Sequence, residues 1–80
     1  ALTGEEFTRL RDLVHSTLSR LLNETGSTSI EFPALLSELK KSDLSIMVVA
    51  QEADVKEILR EMADENKVFS DDYYNTIYII

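Results

Sequence analysis

Between Gln51 and Glu65 the chain carries Val55, Ile58, Leu59 and Met62 on one helical face, and directly afterwards the pattern changes to strand alternation. Val68-Phe69 and Thr76-Ile-Tyr-Ile-Ile80 read as two short strands, joined by the turn-rich Ser70-Asp-Asp-Tyr-Tyr-Asn75. A helix leading straight into a hairpin limits the architecture sharply. The hairpin has one apolar face, with Ile77 and Ile79 on one side and Tyr78 and Ile80 on the other, and that face has to be covered by the helices.

The preceding residues supply more helix. Thr3-Gly-Glu-Glu6 is a capping-box pattern, in which the Thr3 hydroxyl meets the N3 amide and Glu6 reaches back. Phe7, Leu10, Val14, Leu18 and Leu21 then form a helical stripe, widened by Leu13 and Leu22. The helix ends near Asn23–Gly26, with Gly26 suited to a left-handed cap. Ile30 is placed in a short strand that pairs with the hairpin. A second helix follows, with Pro33 in its first turn, Phe32, Leu35, Leu36 and Leu39 on its apolar face, and Lys40 and Lys41 at its end. Ile46-Met-Val-Val49 is β-prone and too short to show a period, so Lys41–Ala50 is read as an extended or irregular link into the core. The third helix starts near Ala50 and stops near Asn66, a C-cap residue type.

Three helices and a small antiparallel sheet within 80 residues predict an α+β winged helix-turn-helix fold, one domain over residues 1–80. The expected core is Leu10, Val14, Leu18, Leu35, Leu39, Val55, Ile58, Leu59, Met62, Val68 and Ile79. An apolar share of 44% supports such a core. No apolar run approaches the ~18 residues needed to cross a bilayer, so no membrane partner is expected. There is no cysteine, which fits a reducing intracellular compartment and excludes a thiolate metal site. The chain opens on Ala1 rather than Met, with no signal-peptide pattern, and closes on an apolar strand. It is therefore expected to be the C-terminal piece of a longer protein.

Winged helices often read DNA with their third helix, and here that helix has the wrong charge. Glu52, Asp54, Glu57, Glu61, Asp64 and Glu65 stand against Lys56 and Arg60. The net charge of −7 is uneven, with nine acids and three bases in residues 42–80. Binding a duplex requires Lys and Arg to displace counterions, and an acidic field repels it. The expected partner is thus a protein, met by Glu52, Lys56, Glu57, Arg60, Glu61 and Asp64 on the helix and by Tyr73 and Tyr74 on the wing, where exposed tyrosines make good interface anchors. Arg9 and Arg20 share a face of the first helix, three turns apart, and provide at most a weak phosphate contact. The lone His15, without a second histidine or any cysteine, reads as a structural helix residue rather than a ligand. With only Gly4 and Gly26 there is no phosphate loop, and no cofactor, metal or catalytic group is expected.

The last third, Lys56-Glu-Ile-Leu-Arg-Glu-Met-Ala-Asp-Glu-Asn-Lys-Val-Phe followed by Ile77-Tyr-Ile-Ile80, resembles the extreme C-terminus of the minichromosome maintenance replicative helicase subunits, the third most of all. The resemblance rests on Met62, Asp64, Glu65, Asn66, Val68 and Ile77–Ile80. The wing Asp71-Asp-Tyr-Tyr-Asn75 departs from it in being longer and doubly aromatic. The resemblance implies a regulatory docking domain behind an ATPase core outside this chain. It also implies helicase-loading factors or other helicase subunits as partners, no strong nucleic-acid binding by the domain alone, and a monomer in isolation. The implied location is the nucleus, or the cytoplasm for an archaeal source. The C-terminal domain of the replication protein A middle subunit shares the layout and is the alternative within protein-binding modules. A nucleic-acid-binding winged helix is the alternative outside them.

Overall fold

The chain is described by a computed structural model covering residues 2–71 and 75–79. Helix α1 (Gly4–Thr25) begins at the expected capping box. Thr3 Oγ1 accepts the Glu6 amide at 3.2 Å, and Glu6 Oε1 accepts the Thr3 amide at 2.9 Å. It ends at Gly26, whose φ of 66° lets its amide reach the Leu22 carbonyl at 2.9 Å. Strand β1 (Ser29–Glu31) runs into α2 (Phe32–Ser42), where Pro33 occupies the first turn and leaves no helical hydrogen bond unmade.

The stretch read as an extended or irregular link is instead a further helix, α3 (Leu44–Val49), so the described residues form four helices rather than three. The reason is local. Asp43 acts as N-cap, its carboxylate accepting the Ser45 hydroxyl at 2.6 Å and the Ile46 amide at 3.4 Å, and burial of Ile46 and Met47 holds the turn against α1 and α2. The helix penalty of β-branched residues is only a few tenths of a kcal/mol each, which core burial outweighs.

Helix α4 (Glu52–Asp64) follows, then β2 (Val68–Ser70) and β3 (Thr76–Ile79). Its end is a Schellman motif. Asn66 sits at φ 61°, its amide reaches Ala63 O at 3.0 Å, and the Lys67 amide reaches Met62 O at 2.9 Å. The three strands form one antiparallel sheet in the order β1-β3-β2, with Ile30 opposite Ile77 and Val68 opposite Ile79. Helices followed by this closing sheet give the α+β, winged-helix-like arrangement expected from the patterning.

One core joins the helices to the inner sheet face. The expected core residues are all buried in it except Ile79, which is partly exposed and packs at its edge. Phe32, Ile46, Met47 and Ile77 complete it, with Ile77 fully buried at the centre of the sheet. The side chains of Phe69 and Tyr78 face outward, their ring centroids 6.1 Å apart.

Two predictions follow from the caps. Asn66→Ala should destabilise the domain by about 1 kcal/mol, because a Cβ-bearing residue without a local polar group resists the left-handed region, whereas Asn66→Gly should leave stability unchanged or raise it. Thermal unfolding of both variants checks this. The Glu6 carboxyl is held below its ordinary value by the Thr3 amide and hydroxyl, and Asp43 by the Ser45 hydroxyl and then Arg9. A carboxylate with a depressed folded-state pKa stabilises above its unfolded value and loses that contribution as pH falls through the folded one. The unfolding midpoint should therefore hold down to about pH 4.5 and drop below it, and Asp43→Asn should make that drop shallower.

Candidate docking surface on helix α4

Burial of Val55, Ile58, Leu59 and Met62 decides which way α4 faces. At 100° per residue, Glu57, Arg60 and Asp64 occupy the opposite, outward arc, with Glu52 and Lys56 on one flank and Asp54 and Glu61 on the other. Glu52, Glu57, Arg60 and Asp64 are exposed, while Lys56, Glu61 and Asp54 are half-buried.

The flanks are tied to the rest of the fold. Glu61 Oε2 accepts Arg11 Nη2 at 2.7 Å, joining α4 to α1, and the Arg11 guanidinium lies 5.3 Å from the Phe7 ring centroid. On the other side the Lys56 ammonium lies 5.1 Å from the ring centroid of Phe32, a cation–π contact to the start of α2. At the helix start the Asp54 carboxylate accepts the Gln51 amide at 2.8 Å. In the outward arc, Arg60 reaches Glu57 at 3.3 Å. Among the described residues, neither Glu52 nor Asp64 forms an ion pair. The structure thus brings Glu57, Arg60 and Asp64 onto one open face and sets Glu52, which is exposed, with Lys56 and Glu61 at its margins. Tyr73 and Tyr74 lie outside the described residues.

The arginines of α1 are engaged elsewhere. Arg9 donates to Asp43 at 2.6 Å and to Ser45 at 2.7 Å, and Arg20 to Glu38 at 3.3 Å, Glu24 at 3.4 Å and Ser42 at 3.3 Å. Their shared face, predicted from an eleven-residue spacing, is turned toward the α2–α3 connection. Six of the eight basic side chains, Arg9, Arg11, Arg20, Lys41, Arg60 and Lys67, lie within 4 Å of a carboxylate. Such pairs are each worth only about 0–1 kcal/mol at a surface, so they do not lock the arginines in place. The excess of carboxylates around them is what sets the sign of the field.

Sequence reasoning missed three features. Leu44, Val48 and Val49 project from α3 into solvent, an arrangement hidden until that segment is known to be helical. Phe69 and Tyr78 meet on the outer sheet face, a pairing that depends on the strand register. A cavity of about 480 Å³ is lined by Arg11, Asp12, His15, Ser16, Ser19 and Lys67, and a second of about 360 Å³ shares His15, Ser19 and Lys67 with it. His15 is half-buried on α1 and lines both. Among the described residues, no group of three His, Cys, Asp or Glu is placed to hold a metal ion, and no helix is long and apolar enough to cross a membrane. No protein-family model, curated protein or solved structure matches the chain.

Proposed function

We propose that this domain is a protein-docking module, and that it serves a replicative helicase of the minichromosome maintenance type by binding a helicase-loading protein through α4 and the wing. The observation that carries the docking reading is the outward face of α4, where Glu57 and Asp64 lie beside Arg60, with Glu52 exposed on one flank, on the helix that a DNA-reading winged helix would place in the groove. A face of that sign opposes a phosphate backbone and complements a basic protein surface. The link to the helicase rests on the resemblance carried by Met62, Asp64, Glu65, Asn66, Val68 and Ile77–Ile80. Tyr73 and Tyr74 are the proposed contact residues of the wing.

Glu57→Lys with Asp64→Lys tests the face best. Glu57→Lys removes a pair with Arg60 worth about 0.2–0.5 kcal/mol, and Asp64 has no ion-pair partner among the described residues, so the fold should be kept. Glu61→Lys is a poorer choice because half-buried Glu61 ties α4 to α1 through Arg11, so its reversal would disturb the fold as well as the face. An origin-recognition loader complex passed over the immobilised 80-residue chain at about 150 mM salt should be retained. The double reversal should weaken retention about tenfold or more, the equivalent of ~1.4 kcal/mol, with an unchanged circular dichroism spectrum. Undiminished retention by that variant would contradict the acidic-face reading, and no retention by the parent chain would contradict the helicase-loading one.

A further inference from the structure

We infer that the open edge of β2 is a self-association site, where a second copy of this chain sets its own β2 antiparallel to the first and continues the sheet across the two copies. This contact is independent of the α4 surface, and it departs from the monomer that the resemblance implies. In the strand order β1-β3-β2, each outer strand has one side without a neighbouring strand. The hydrogen bonds show which groups lie on the β2 side. The Ile79 amide donates to Thr28 O at 2.7 Å and the Phe32 amide to Asn75 O at 2.8 Å, so the backbone groups of Ile77 and Ile79 turn toward β1. Those of Tyr78 turn toward β2, where Phe69 stands opposite. The amides and carbonyls of Val68 and Ser70 therefore point away from β3, and they meet no partner among the described residues.

The two edges are not equivalent. At β1 the chain itself takes up the outward groups of Ser29, whose amide donates to Ser27 Oγ at 3.4 Å and whose carbonyl accepts the Ser27 hydroxyl at 3.0 Å. Among the described residues β2 has no such cover. Along it, on the outer sheet face, lie Phe69, 64% exposed, and Tyr78, 45% exposed. An unpaired edge with apolar rings beside it is a template for another strand.

Self-complementarity names the occupant. A two-fold axis through Phe69 sets Val68 opposite Ser70 of the second copy, and Ser70 opposite its Val68. These are the residues whose backbone groups point outward, so each pair exchanges both of its hydrogen bonds and none of those groups is left over. Phe69 meets Phe69 of the second copy as a non-hydrogen-bonded pair, with about 4.5 Å between Cα atoms, the closest setting for cross-strand rings. The Tyr78 rings flank them. At the ends, exposed Lys67 comes opposite exposed Asp71 of the second copy. Lys67 is loosely held, 3.9 Å from Glu65, and Asp71 uses only Oδ1 for the Asn75 amide, at 2.7 Å. A strand of unrelated sequence would satisfy the backbone alone, whereas this one also answers the side chains. The charge of −7 on each copy opposes association at long range, but at about 150 mM salt it is screened beyond about 8 Å. One short strand from each copy falls far below the ~800 Å² per partner of a stable interface, so the association is weak and follows concentration.

An NMR concentration series of the isotope-labelled 80-residue chain, from about 0.05 to about 1 mM at about 150 mM salt, tests this. The amides of Val68, Phe69 and Ser70 should shift with concentration, while those of α1 and α2 stay in place. In a mixture of labelled and unlabelled chain, NOEs between Phe69 rings of different copies should fix the register. Phe69→Lys should weaken the association about tenfold or more, and because the ring is exposed the remaining resonances should keep their positions. Lys67→Glu, which sets like charges opposite each other, should weaken it as well. Spectra that do not change up to about 1 mM would overturn the inference and leave the edge to a strand of another protein. Concentration-dependent shifts confined to α3 or α4, undiminished association of Phe69→Lys, or NOEs in another register would overturn it too.

Discussion

The packing of α4 by one stripe of four side chains, Val55, Ile58, Leu59 and Met62, governs what this domain can present to a partner. Three of the four are fully buried and Met62 nearly so, and truncating a buried aliphatic of this size costs about 2–5 kcal/mol. The helix therefore cannot rotate about its axis without losing several kcal/mol. Its outward arc follows from that: Glu57, Arg60 and Asp64 face solvent because they lie opposite the stripe. The flanking contacts, Arg11 to Glu61 and Lys56 over Phe32, are individually weaker and trim the orientation that burial sets. The charge that α4 presents to solvent thus lies on a face whose direction is fixed by apolar packing.

The same hierarchy explains how the sheet serves the helices. Ile77 fills the middle of the core, and Ile30, Val68 and Ile79 stand around it through the registers Ile30–Ile77 and Val68–Ile79. A slip of one residue would expose all of them and bury Tyr78. The Schellman turn at Glu65–Lys67 launches β2 directly from α4, so the β2–β3 pair is carried at a defined place relative to that helix. Helix, turn and the paired strands β2 and β3 thus form one packed unit.

Much of this was legible in the residues. The Thr3–Glu6 box, Gly26, Pro33 and Asn66 mark helix ends by local chemistry that needs no tertiary information, and the stripes of α1, α2 and α4 are long enough to show their period. Helix α3 was not legible, because six residues rich in Val and Ile carry a strand preference and too few turns for a helical one. Its conformation comes from the Asp43 cap and from the burial of Ile46 and Met47, and the first half of that cap's environment, Arg9, is supplied from 34 positions away. The acidic character of the candidate surface was plain from composition. That Glu61 is drawn to Arg11, fifty residues distant, while Glu52 and Asp64 stay unpaired among the described residues, depends on how α1 and α4 lie together. Periodicity places a side chain on a face of its own helix and says nothing of which neighbour that face meets.

On the docking reading proposed above, the helix in the reading position of a winged helix faces a protein rather than a nucleic acid. It is tested most directly by adding a short DNA duplex to the isotope-labelled domain at about 50 mM salt, where phosphate contacts are strongest, and following the amide resonances of Glu52–Asp64. The acidic outward face predicts that these resonances stay in place throughout the titration. Saturable shifts along α4, with an affinity that falls steeply as salt is added, would show that the helix reads nucleic acid in spite of its charge.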